Sequence, residues 1–163
     1  MSSTWLELVW DTLRDEFSDL PDAASVTRIS VRLLLAALLG GILGFEREQK
    51  GKAAGLRTHM LVAIGAALFV MIPQQAGVSD ADLTRVLQGI VAGIGFLGAG
   101  SIIKGHAEED IKGLTTAAGI WLTSAIGIAA GMGRETTAVL STILAMIVLT
   151  SLSFVARLFT RHR

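Results

Sequence analysis

The sequence predicts an all-α integral membrane bundle of about five transmembrane helices, preceded by an amphipathic N-terminal helix. Two observations carry this expectation. Hydrophobic residues make up 52% of the chain and charged residues only 17%, against roughly 25% charged in an average soluble protein. The charges are also segregated: residues 86–103, 113–133 and 136–156 contain none, and each run is long enough to cross about 30 Å of hydrocarbon as a helix.

A fourth span is expected over 56–72, ended by Pro73, with Arg57 and His59 in its first turn where they can reach the interface. A fifth, over 26–45, carries Arg28 and Arg32 and is uncharged only from Leu33, so its start is the least defined boundary. The first twenty residues do not form a signal peptide, because the leading region is acidic (Glu7, Asp11, Asp15, Glu16) and no apolar core follows a positive one. Leu6, Val9, Trp10, Leu13, Phe17 and Leu20 recur at helical spacing with acids opposite, which predicts an interfacial helix with Trp5 and Trp10 at headgroup level. A soluble cap over the bundle is the alternative. The expected organisation is an amphipathic segment at 1–22, a transmembrane domain at 26–158 and a short basic cytoplasmic tail at 159–163.

Several function classes are disfavoured by the same composition. Net charge is zero, so no basic field exists to attract nucleic acid. Cysteine is absent, which removes thiolate metal sites and Cys nucleophiles. His59, His106 and His162 are too scattered for a zinc pattern, and the glycines of 95–100 lie in an apolar span without the Lys-Ser/Thr ending of a phosphate loop. The chain reads as a protein that is not an enzyme.

Lys and Arg set orientation. Arg47, Lys50, Lys52 and Arg57 fall in one connection, Lys104 and Lys112 in another, and Arg157, Arg161 and Arg163 in the tail, all on one side of a five-span protein. The other side receives the acidic N-terminal segment, a loop at 74–82 free of Lys and Arg, and a short turn with Arg134 alone. The N-terminus is therefore expected outside and the C-terminus in the cytoplasm. The two cytoplasmic hairpins echo each other. Gly44-Phe45 precedes Gly55-Leu56-Arg57-Thr58, and Gly95-Phe96 precedes Gly113-Leu114-Thr115-Thr116, suggesting parallel repeats about an axis along the membrane normal. Chance similarity between Gly-rich helices is the competing explanation.

Small residues recur four apart: Gly40 and Gly44; Gly89 and Gly93; Thr115, Gly119, Thr123, Gly127 and Gly131. Such stripes allow helix backbones to approach closely in lipid and favour association, including a homo-oligomer. A narrow pore lined by them is the alternative. The remaining chemistry lies in charged groups near the bilayer, each costly unless paired or hydrated. Glu46 and Arg57 close one hairpin and are expected to pair, with Thr58, His59, Thr115 and Thr116 nearby as ligand or ion candidates. Glu46 and Glu48 are the candidate metal ligands, since magnesium needs only one or two carboxylates and keeps several waters. Asp82 and Arg85, three apart at a helix start, are expected to form an outer-face ion pair.

Gly44-Phe45-Glu46-Arg47-Glu48, Ala54-Gly55-Leu56-Arg57-Thr58-His59-Met60-Leu61-Val62, Asp82-x-x-Arg85, Gly93-Ile94-Gly95-Phe96-Leu97-Gly98-Ala99-Gly100 and Gly113-Leu114-Thr115-Thr116-Ala117-Ala118 with Trp121 together resemble the MgtC/SapB membrane family, in order, over roughly 28–152. The resemblance implies a multi-pass protein of the bacterial inner membrane linked to growth at low magnesium, acting as a regulator or magnesium-transport accessory. A magnesium transporter or channel with a cytoplasmic-side polar site is the alternative. It also implies magnesium as the associated ion and a membrane-protein partner such as ATP synthase. Longer members carry a soluble domain after the last span, and this sequence ends at Arg163. Where the family pattern expects Gln four residues after Arg85 the chain has Gly89, with Gln88 beside it.

Overall fold

A computed structural model describes residues 4–18, 22–104 and 111–160. The basic residues at 161–163, the connection at 105–110 with His106, and the end of the amphipathic segment at 19–21 lie outside the described residues. The elements are α1 (Trp5–Glu16), α2 (Ala23–Gln49), α3 (Leu56–Gln75), α4 (Asp80–Gly100), β1 (Ile103–Lys104), β2 (Ile111–Lys112), α5 (Leu114–Gly131) and α6 (Glu135–Thr160). The two short strands pair antiparallel, Ile103 opposite Lys112. The chain divides into two units after Val31.

In the first unit, α1 begins where the Thr4 backbone N–H donates to the Glu7 carboxylate at 2.8 Å. No residue of α1 is buried, and Trp5, Trp10 and Phe17 are each more than 70% exposed, so its apolar face is uncovered. The start of α2 is capped by Asp22, whose Oδ1 accepts the Ser25 N–H at 2.6 Å. That hydrogen bond holds the Asp22 carboxyl below its usual range.

In the second unit, the helices are packed by small residues and present large ones outward. Ala36, Ala63, Ala66, Ala67, Ala130 and Ala138 are buried, whereas Leu34, Leu61, Phe69, Phe96, Leu140 and Leu144 are each at least 60% exposed. A soluble monomer does not expose a continuous apolar surface of this kind, whereas a bilayer takes it as its natural contact. α2, α3, α4 and α5 are each long and apolar enough to cross a membrane. α6 is 26 residues long, about 40 Å of helix, and is apolar over Glu135–Ser151.

Close approaches define the packing. A Cβ at Gly40 would lie 2.6 Å from the His59 carbonyl oxygen, and one at Gly44 would lie 2.7 Å from the Leu56 Cα, so α2 and α3 run antiparallel in contact. Gly127 faces the Ala63 carbonyl and Gly131 the Ala67 carbonyl, so α3 and α5 run side by side and parallel. This is the arrangement the hairpin echo requires. The echo is not repeated in detail, because a Cβ at Gly95 would meet nothing within 4 Å among the described residues, whereas its counterpart Gly44 is closely packed.

Two expectations are corrected. α4, expected to pack closely through its glycines, buries only Leu83 and Gly98. A Cβ at Gly89 or Gly93, expected as packing residues, would meet nothing within 4 Å among the described residues; the two line a lateral groove with Gly65 and Ser124 instead. The helix seam is built from α2, α3 and α5, because Gly40, Gly44, Gly127 and Gly131 stand opposite backbone and Gly89 and Gly93 do not. Secondly, Pro73 does not end its helix, which continues to Gln75. Within the last turn, Pro forfeits a single backbone hydrogen bond, and the chain closes by Ala76 N–H to Ile72 O at 3.1 Å.

Candidate functional site

The buried polar groups concentrate at the α2–α3 hairpin and the α5 surface beside it. Glu46, Arg47 and His59 are 7%, 2% and 0% exposed, and Thr116 on α5 is also buried. The last turn of α2 carries both Glu46 and Arg47 inward, and Lys50, one turn further, folds back over them. Lys50 Nζ lies 2.5 Å from Glu46 Oε1, while Arg47 Nη1 lies 3.5 Å from Glu46 Oε2. The Lys50 ammonium also donates to the Leu149 carbonyl at 3.0 Å, which ties α2 to α6. Glu46 therefore has two cationic neighbours, Arg47 from its own helix and Lys50 from the turn that follows it. The expected partner, Arg57, is exposed and makes no ion pair among the described residues. Arg57 and His59 are two residues apart on α3 and so project about 200° apart; only one of them can face the bundle.

Arg47 is more deeply buried than its contacts account for. Its Nε and Nη2 have no hydrogen-bond partner among the described residues.

Glu48 has a different role. Its Oε2 accepts the backbone N–H of Leu56 at 2.7 Å, at the N-terminus of α3. The N-cap of that helix is Gly55, which has no side chain to accept the free amides, and the carboxylate from the preceding helix fills the place. A Cβ on residue 55 would stand 2.5 Å from that oxygen, so glycine is what lets Glu48 close in. The other hairpin starts differently: Gly113, the N-cap of α5, has φ +99°, a conformation open to glycine, and a Cβ there would strike the Ser101 carbonyl.

The remaining candidates separate. Thr58 is exposed, and Thr115 is exposed yet lines a cavity with His59 between α2, α3, α5 and α6. At the far end of the bundle, Arg85 Nη1 pairs with Asp82 Oδ1 at 2.7 Å, as the spacing predicted, and Ser79 Oγ donates to Asp82 Oδ2 at 2.7 Å. The pair is exposed and contributes little to stability. A Cβ added at Gly119 would lie 3.5 Å from His59 Nε2, in ordinary contact.

Three functional groups were not singled out from the sequence. Lys50 was legible, since Glu and Lys at i and i+4 are favoured neighbours. Arg47 was not, because nothing local shows which of four charges in 46–50 turns inward. Nor was Arg32, whose Nη1 donates to the Gly131 carbonyl at 2.9 Å and whose Nε lies 3.8 Å from Glu135, closing the α5–α6 turn.

A helical bundle with small residues inside, large apolar residues outside and a few buried, internally paired charges defines a multi-pass membrane protein. Residues 33–158 match the MgtC family, and the chain belongs to it. It is 47% identical over 116 residues to protein SrpB of Synechococcus elongatus, covering 64% of each chain. To the putative magnesium transporter YhiD of Escherichia coli K12 it is 42% identical over 127 residues, 73% of this chain and 58% of the relative. To protein MgtC of Brucella abortus it is 46% identical over 108 residues, 66% of this chain and 44% of the relative. The chain thus matches about half to two thirds of the length of these relatives. No solved structure matches.

Proposed function

We propose that this chain is a bacterial inner-membrane protein of magnesium-linked physiology, acting without catalysis as a membrane regulator or magnesium-transport accessory. Membership of the MgtC family and the likeness to a relative named a putative magnesium transporter support the magnesium link. The regulator reading rests on one observation: both candidate magnesium ligands are already engaged, Glu46 by Arg47 and Lys50 and Glu48 by the α3 N-terminus. A cation bound there would have to displace an ammonium and a helix-capping contact, which a hydrated magnesium site does not require. A transporter with an ion site at Glu46 and Glu48 is the second reading.

The Lys and Arg bias of the connections supports an orientation with the α2–α3 turn and the C-terminus in the cytoplasm and the N-terminus outside. The uncovered apolar face of α1, with Trp5 and Trp10, fits the outer headgroup layer. Contact with a second copy, or with a membrane-protein partner such as ATP synthase, is assigned to α4, where a Cβ added at Gly89 or Gly93 would meet nothing within 4 Å among the described residues. Growth tests the magnesium link. A strain lacking the protein should grow more slowly than its parent at limiting magnesium and equally at ample magnesium; equal growth under both conditions would overturn the reading.

A further inference from the structure

Arg57 is an exposed cation in the first turn of α3, and its side chain makes no ion pair or hydrogen bond among the described residues. Lys52, in the turn before it, is exposed and without an ion pair in the same way. The acids of the hairpin do not meet these two cations. Glu46 is held by Arg47 and Lys50, and Glu48 accepts the Leu56 amide, which also occupies the N-terminus of α3. Side chains on a helix lean towards its N-terminus, so Arg57 extends out of the apolar bundle towards headgroup depth.

On the same side of α3 lies a shallow groove of about 610 Å³, open laterally, to which α3 contributes Leu56 and Met60. Leu56, Arg57 and Met60 fall within about 100° of one another round the helix. α2 contributes Leu38, Ile42 and Phe45, of which Leu38 and Phe45 are more than half exposed, and α6 contributes Met146. The α2 wall runs from Ala37 to Gln49, about 18 Å of helix, against about 15 Å for one leaflet of a 30 Å hydrocarbon core. Its polar members, Glu46, Gln49 and Thr150, fall at the end near Arg57: the first two close α2, and the Leu149 carbonyl beside Thr150 accepts from Lys50 just beyond them. A groove that is apolar over one leaflet, polar at one end and flanked there by an unused cation has the profile of a phospholipid chain beneath its headgroup.

We propose that the groove seats one acyl chain of an anionic glycerophospholipid, whose phosphate is held by the Arg57 guanidinium. A phosphodiester presents two oxygens that a guanidinium takes as a pair. Selectivity for a net anionic lipid follows from the acids of the hairpin. A headgroup ammonium would meet Arg57 and Lys52 and find Glu46 and Glu48 already engaged, whereas a headgroup without a cation meets two positive charges. This goes beyond the magnesium-linked role, rests only on the membrane bundle, and holds for either orientation of the chain.

The test uses the whole protein in detergent, titrated with dioleoyl phosphatidylglycerol or dioleoyl phosphatidylethanolamine and read by native mass spectrometry. The expected result is phosphatidylglycerol bound about five- to tenfold more tightly than phosphatidylethanolamine. Arg57→Gln should weaken phosphatidylglycerol about fivefold and leave phosphatidylethanolamine unchanged, which also shows that the variant is folded; Arg57→Lys should keep most of the preference. A phosphatidylglycerol with a diazirine in its acyl chain, irradiated with the protein in nanodiscs, should label α2 between Ala37 and Phe45, and label it less in Arg57→Gln. Glycerol 3-phosphate in large excess should not displace the lipid, since it lacks the chain. Equal affinity for the two lipids, undiminished phosphatidylglycerol binding in Arg57→Gln, label spread evenly over the outer faces of the helices, or displacement by glycerol 3-phosphate would overturn the proposal.

Discussion

Glu48 caps the helix that begins eight residues after it: its Oε2 takes the Leu56 amide at 2.7 Å, across a turn that Gly55 leaves open. The α2–α3 hairpin is thereby closed by a carboxylate on a helix N-terminus, where the dipole favours negative charge. Glu48→Ala should lower stability by about 1–2 kcal/mol, and Glu48→Gln by less, because the amide oxygen still accepts. Gly55→Ala should imitate the loss by pushing the carboxylate away. Thermal unfolding in detergent checks all three; an unchanged midpoint in Glu48→Ala would show that the cap contributes nothing.

Glycines of one composition class are expected to behave in two ways. A methyl on residue 127 would meet the Ala63 backbone, so Gly127→Ala should cost about 1–3 kcal/mol. Gly93 has open space, and Gly93→Ala should be neutral or slightly stabilising through helix propensity. Gly93→Leu should leave the protomer folded and reduce the oligomer mass seen by light scattering in detergent. Unchanged mass in that variant would assign the α4 face to lipid.

These contrasts mark where sequence reading succeeded and where it stopped. The charge-free runs at 113–133 and 136–156 coincide with α5 and α6 because hydropathy fixes which segments enter a bilayer. Asp82 and Arg85 pair as their spacing requires, since both lie on one helix face. Rotation of a helix about its axis is not set by composition in an all-apolar segment. Hence Gly93 and Gly127 looked alike in sequence, and Arg57 was read as the partner of Glu46 although its side of α3 faces away from the bundle. The Glu48 cap left a readable trace: a helix start at Gly55 with no side-chain acceptor of its own, and an acid at the end of the preceding helix.

The Glu46 cluster predicts the result of a charge swap. Glu46→Ala should destabilise the fold by about 3–5 kcal/mol, since Arg47 would remain buried without its carboxylate. Glu46→Arg combined with Arg57→Glu should not restore function, because an arginine at 46 would sit beside Arg47 and Lys50. Growth at limiting magnesium, with membrane levels matched, reads the outcome. A fully active double swap would mean that Glu46 and Arg57 pair after all.

Orientation can be read directly in a chain that has no cysteine. Single cysteines replacing Ser3 and Thr160 should react with an impermeant thiol reagent from opposite faces, Ser3 from outside. Labelling of both from the same side would contradict an odd number of crossings.

The regulator account is tested most directly by magnesium flux into proteoliposomes that contain the purified protein alone, followed with a trapped magnesium indicator. Because Glu46 and Glu48 are held by internal partners, the account predicts uptake no faster than in empty vesicles. Uptake clearly above that of empty vesicles, and abolished by Glu46→Gln, would contradict it and establish an ion path through the bundle.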